Sequence, residues 1–121
     1  MTVDYLKQRK QFGKLIGEFQ ALQHRAAHLY SEVEIARAVT IKAAQLLDGG
    51  SEQAELMSSV AKAKVAKAAG LAVREGVQMH GGIGMTDEYD IGLYMKRDRA
   101  LQEFLGDQYY HANRVAELSG Y

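Results

Sequence analysis

An all-α fold, an antiparallel four-helix bundle, is predicted for this 121-residue chain by three observations. Alanine and larger apolar residues recur at helical spacing over two long stretches. Proline, the residue that most often breaks helices and stiffens loops, is absent. Glycines concentrate at Gly49-Gly50 and at Gly81-Gly82-Ile83-Gly84, where those stretches end.

The first helical segment is predicted over Val3 to Phe12, with Thr2 as N-cap and Gly13 as stop; it reads as the tail of a longer helix. The second runs from Phe19 to Leu47. Phe19, Leu22, Ala26, Leu29, Val33, Ala36 and Ala43 or Ala44 recur at helical spacing, and Gly49-Gly50 ends the pattern. At 1.5 Å per residue this rod is ~40 Å long, a length that implies antiparallel neighbours. Ser51 is expected to cap the third helix, which continues through Leu56, Val60, Ala63, Val65, Ala66, Ala69, Val73 and Val77 toward His80. Its alanines permit close helix contact, whereas Gly70 and Gly76 lower its intrinsic propensity without ending it. The last segment is predicted from Asp90–Leu93 to Leu118, with a disturbance at Gly106.

Between the third and last segments lies Gln78-Met79-His80-Gly81-Gly82-Ile83-Gly84-Met85-Thr86-Asp87-Glu88-Tyr89. So polar and glycine-rich an interruption brings backbone close to something, or else simply turns the chain between antiparallel helices. The glycines follow a helix rather than a strand, so this is not the strand-to-helix dinucleotide fingerprint.

Composition narrows the classes. Fifteen Lys plus Arg balance fifteen Asp plus Glu, leaving no net field to recruit nucleic acid. Lys62, Lys64 and Lys67 do not share one face and read as solvated side chains with stems over the core. Cysteine is absent, which removes disulfides, thiol nucleophiles and thiolate metal sites. His24 and His28 share a helical face but lack a third ligand, so no metal is expected. No apolar run is long enough to span a bilayer and no secretory leader is evident, so a cytoplasmic setting is expected, or an organellar one where a targeting segment precedes this chain.

Arg9 offers a fixed fork of donors for phosphate. Gln20 and Gln78 each carry a donor and an acceptor suited to the polar edge of a ligand. The amides of Gly81 and Gly82 can meet a pyrophosphate oxygen. Taken singly, these residues have ordinary readings: a surface arginine, a helix-end glutamine, a turn. Phe12, Ile16 and Phe19 would ordinarily be core contacts.

Tyr5 and Arg9-Lys10-Gln11-Phe12-Gly13-Lys14-Leu15-Ile16-Gly17-Glu18-Phe19-Gln20, then Gln78-Met79-His80-Gly81-Gly82-Ile83-Gly84 with Thr86, Glu88 and Tyr89, then Arg97-Asp98, together resemble the C-terminal helical domain of the acyl-CoA dehydrogenase family. The resemblance covers nearly the whole chain. It implies a flavoprotein whose N-terminal helical and middle β-domains are not in this chain, with FAD bound between subunits. By that likeness Arg9 approaches the FAD pyrophosphate, Gln11 and Phe12 line the same region, and Ile16, Phe19, Gln20, Gln78, Gly81 and Gly82 are further cofactor contacts. The implied partners are a same-family subunit or the other domains, an acyl-CoA substrate and an electron-transfer acceptor.

Family members introduce an α,β double bond: a glutamate removes the α-proton of an acyl-CoA while the β-hydrogen leaves as hydride to FAD. In many relatives that glutamate follows the Arg-Asp motif, just before a glycine and threonine; in others the base lies upstream of the region present here. The resemblance puts Gly106, within Phe104-Leu105-Gly106-Asp107-Gln108, at the glutamate, and glycine cannot accept a proton. Asp107 is then the candidate base, followed by Glu103. The ending Gly106 to His111 is similar to subunits of heteromeric assemblies. Two readings follow: the C-terminal part of an acyl-CoA dehydrogenase, active in an assembly, or a non-catalytic helical accessory domain. A flavin-dependent monooxygenase or oxidase of the same fold is the related alternative.

Overall fold

Small residues make the third helix thin enough for every other helix to reach it. In the computed structural model, which describes residues 1–121, five helices carry the chain: α1 (Thr2–Gln8), α2 (Gln20–Asp48), α3 (Ala54–His80), α4 (Ile91–Glu103) and α5 (Gln108–Leu118). A two-stranded hairpin, β1 (Lys10–Gln11) and β2 (Lys14–Leu15), and 3-10 turns at Ile16–Glu18 and Gly81–Met85 complete it. Helix α3 packs against α1, α2, α4 and α5.

The buried positions of α3 include Ser59, Ala61, Ala66, Ala68, Gly70 and Gly76. Two helix-interior glycines are thereby explained. A Cβ on Gly76 would lie 2.6 Å from Ile91 Cδ1, and one on Gly70 would lie 3.0 Å from Gln102 Nε2, so α4 crosses where side chains are missing.

Ion pairs fix the direction of α2 against α3. Arg25 donates twice to the Glu75 carboxylate, at 2.6 and 3.1 Å, and Lys64 Nζ donates to Glu32 Oε2 at 2.7 Å. Residue 25 meets 75 while 32 meets 64, the crossing of an antiparallel pair. Arg114 of α5 pairs with Glu55 of α3, and Lys62 Nζ donates to the Leu101 carbonyl near the end of α4 at 2.8 Å. The lysines of α3 therefore include tertiary contacts as well as solvated groups.

Burial is uneven. Tyr5, Leu6, Ile16 and Met79 form the core cluster, with Phe19, Leu22, Ala26, Ile83 and Tyr89 packed around it. Elsewhere Tyr30, Ile35, Ile41, Leu47, Tyr94 and Phe104 remain exposed. The densest packing thus lies where α1, the hairpin and the end of α3 meet.

Four expectations need correction. The first helix ends at Gln8, not Phe12, and its N-cap is Met1, with Thr2 already helical. Phe12 (φ 55°) and Gly13 (φ 81°) instead form the left-handed turn of a hairpin in which Lys10 pairs with Leu15 and Gln11 with Lys14. Ser51 does not cap the third helix. Its Oγ accepts from the Gln53 amide at 3.2 Å, shaping a turn before a helix that starts at Ala54. The last segment is two helices, because Leu105 (φ 61°) and Gly106 (φ 96°) take left-handed backbone that no helix accommodates.

The Lys64 hydrogen bond, assisted by the charges of Lys64, His28 and Lys67, holds the Glu32 carboxyl below the usual carboxylate range against the opposing effect of burial. A carboxyl depressed on folding contributes stability above its unfolded pKa, and that contribution is lost as pH falls through the folded value. The melting-temperature gap between the parent and Glu32→Gln is therefore expected to be widest at neutral pH and to close below about pH 4. Thermal melts of both proteins across that range check it.

Candidate functional site

Arg9 leaves α1 as its C-cap in extended conformation and enters the hairpin, where its carbonyl accepts from the Ile16 amide at 2.9 Å. The hairpin thus holds Arg9 and Gln11 beside Ile16. On the opposite side α3 ends at His80, and Gly81 (φ 67°) redirects the backbone into the 3-10 turn. These two walls enclose a cleft of about 290 Å³, lined by Arg9, Gln11, Ile16, Gln78, Gly81 and Gly82 among others.

The polar groups on these walls are uncommitted. Arg25 and Arg114 are held by carboxylates, whereas the side chains of Arg9, Gln11 and Gln78 make no hydrogen bond or ion pair within the chain. Cβ atoms built on Gly81 or Gly82 would have nothing within 4 Å, so the backbone of this wall is open to approach. Gly84 differs: a Cβ there would sit 2.9 Å from His80 Cβ and 3.0 Å from the Val77 carbonyl, making it a packing glycine.

Six of the nine sequence-flagged residues meet in this cleft and three stand outside it. Phe12 projects from the hairpin turn, 91% exposed, with its ring edge-on to Phe19 at 6.0 Å. Lys14 Nζ sits 4.3 Å over the Phe19 ring, and Gln20 is the exposed first residue of α2. Phe12 is accordingly not a core residue.

Sequence reasoning overlooked what lies beneath the cleft. His80, 4% exposed, stacks on Tyr5 at 4.4 Å and 27°, and Tyr89 packs against both rings. Nothing in the sequence spacing of Tyr5, on α1, and His80, at the end of α3, signals that contact.

A larger groove of about 690 Å³ runs between α3 and α5, floored by Val60, Ala63, Ala66, Ala112 and Val115. It contains none of the nine residues named for the cofactor. Lys67, Arg74 and Gln108 border it, but its floor is apolar interhelical surface, whereas the small cleft sets its polar side chains beside open glycine backbone.

The candidate bases stand apart from the cleft. Asp107 is the N-cap of α5, its Oδ1 accepting from the amides of Tyr109 at 3.0 Å and Tyr110 at 2.8 Å. Glu103 faces Arg99 at 3.7 Å on the exposed side of α4. Asp98 accepts from Gln102 at 2.6 Å and does not pair with Arg97.

Comparison with known proteins gives this arrangement its family. The model of the acyl-CoA dehydrogenase C-terminal domain matches residues 1–119, and the chain belongs to that family. It is 42% identical over 105 residues to the acyl-CoA dehydrogenase IpdE2 of Mycobacterium tuberculosis, covering 87% of this chain and 31% of the relative. Butyryl-CoA dehydrogenase from Megasphaera elsdenii superposes with a TM-score of 0.92 at 28% identity, over 98% of this chain and 30% of that one. A solved FAD complex of PigA gives 0.91 at 26% identity, over 98% of this chain and 31% of that one. The chain spans about a third of the length of the relatives it matches.

The structure revises one detail of the resemblance. A Cβ on Gly106 would lie 2.5 Å from Tyr110 Cδ1 and 3.1 Å from His111 Nε2, at φ +96°, so a glutamate does not fit there. Gly106 is the glycine of the turn, preceded by the exposed, left-handed Leu105. Leucine cannot accept a proton either. Gly106→Glu is expected to destabilise the chain by about 1–3 kcal/mol, while Leu105→Glu, at an exposed position, changes stability by less than about 0.5 kcal/mol. Urea denaturation of the two variants distinguishes them.

Proposed function

We propose that this chain forms one wall of the FAD site of an acyl-CoA dehydrogenase, and that the carboxylate removing the substrate α-proton belongs to another part of the assembly. The observation that carries this reading is the convergence of Arg9, Gln11 and Gln78, all without protein partners, on a cleft bordered by the open backbone of Gly81 and Gly82. Two stretches some seventy residues apart in sequence supply these groups.

The residues fit a flavin dinucleotide chemically. The Arg9 guanidinium suits a diphosphate, to which it can donate two parallel hydrogen bonds. Amides at Gly81 and Gly82 supply further donors with no side chain in the way. Gln11 and Gln78 can satisfy either a donor or an acceptor on a polar edge, and Ile16 gives an apolar surface against which a ring can lie. When bound, FAD supplies the two-electron acceptor that takes the hydride from the substrate β-carbon.

Support for a shared site comes from the exposure of the cleft and of the large apolar residues outside the core. A cleft this small encloses only part of a dinucleotide, so the remaining walls come from companion domains or a same-family subunit. Support for a proton acceptor elsewhere comes from the elbow between α4 and α5. Leu105 and Gly106 hold no titratable group, and the Asp107 carboxylate caps a helix.

Native mass spectrometry of the purified assembly, recording subunit stoichiometry and bound FAD, tests this reading. The parent is expected to retain FAD through buffer exchange, and Arg9→Ala to weaken retention by about 10- to 100-fold, the scale of a lost charge-assisted contact. Equal FAD occupancy in parent and variant would contradict it.

A further inference from the structure

The two walls of the cleft are joined by aromatic rings rather than by backbone. Tyr5 lies one turn before Arg9 on α1, and His80 immediately precedes Gly81. Their rings stack at 4.4 Å with an interplanar angle of 27°. Tyr89 closes the group, edge-on to Tyr5 at 5.3 Å and tilted against His80 at 5.2 Å. Each ring touches the other two, so a shift of α1 is transmitted to the end of α3.

One hydrogen bond sets the His80 ring. Nδ1 lies 2.7 Å from the carbonyl of Gly76, one turn back along α3. A carbonyl oxygen only accepts, so Nδ1 carries a proton, and in the neutral ring Nε2 is the nitrogen left as an acceptor. That Nε2 is buried and has no partner. Phenylalanine would leave no unpaired acceptor, and leucine would fill apolar space, but neither donates to Gly76. Asparagine donates but has no ring. Among these choices only histidine both stacks on Tyr5 and fixes its own orientation through the α3 backbone.

We propose that His80 is a positioning residue: through its stack on Tyr5 and its bond to Gly76 it sets the spacing between the Arg9 wall and the Gly81–Gly82 wall. The ligand arm of the following test rests on the FAD reading above, whereas the exchange arm does not. His80→Phe keeps the ring and removes the donor; His80→Leu and Tyr5→Leu remove the stack.

In the full chain, His80→Phe is expected to keep the parent's melting temperature within a few degrees, because the buried unpaired acceptor is removed together with the hydrogen bond. Amide hydrogen exchange over Gly81–Gly84 quickens by about tenfold as the wall loosens. ADP, used as the diphosphate probe in calorimetry, binds about fivefold more weakly, the scale of one lost positioning contact. His80→Leu and Tyr5→Leu each extend the faster exchange to Arg9–Gln11, and combining them adds less than the product of the two single effects.

Unchanged exchange in both His80 variants would overturn the proposal, as would multiplicative effects in the double variant. Failure of the parent chain to bind ADP while exchange in the variants quickens as stated would count against the FAD reading and leave the positioning role supported.

Discussion

Close approach to α3 is the constraint on which the rest depends. Alanine at 61, 66 and 68 and glycine at 70 and 76 remove the bulk that would keep other helices at a distance. Propensity opposes the glycines, since each weakens a helix interior by about 1 kcal/mol relative to alanine. The compensation is packing: α4 seats Ile91 and Gln102 where Cβ atoms would collide. With α4 and α1 drawn against the same end of α3, the chain that follows His80 must turn sharply, and Gly81 and Gly84 meet that demand in different ways. One takes left-handed backbone and the other fits under Val77 and His80.

The cleft follows from this geometry. Its walls are not continuous secondary structure but the two places where regular structure stops, the hairpin after α1 and the turn after α3. Backbone amides and polar side chains at such ends are free to serve a ligand because no ladder consumes them. Beneath them the apolar core is at its densest, with Tyr5, Leu6, Ile16 and Met79 buried together. A rigid base under an open polar lip suits a binding wall. The elbow at Leu105–Gly106 uses its left-handed backbone differently, anchored by Asp107 on one side and by His111 Nε2 donating to the Leu105 carbonyl at 2.8 Å on the other.

How legible this was in the sequence depended on whether local pattern or tertiary contact decided each feature. The courses of α2 and α3 were readable because long periodic stretches ended at Gly49-Gly50 and Gly81-Gly82, and each boundary fell within a few residues. The hairpin was not, because Lys10, Gln11 and Lys14 are exposed polar residues with no alternation to signal strands. Gly106 marked a disturbance, but the left-handed Leu105 before it turned that disturbance into a complete break. Gathering Arg9 with Gln78 required the family resemblance, since no spacing rule connects positions so far apart. The His80 stack escaped because a histidine at a helix end has no sequence signature for a ring contact across the fold.

Amide chemical-shift mapping of the isotopically labelled chain titrated with FAD tests the central claim most directly. Perturbations are predicted to concentrate at Arg9–Ile16 and Gln78–Ile83, on the two walls of the cleft. Shifts confined to Val60–Arg74 and Gln108–Val115, along the larger groove between α3 and α5, would contradict the account.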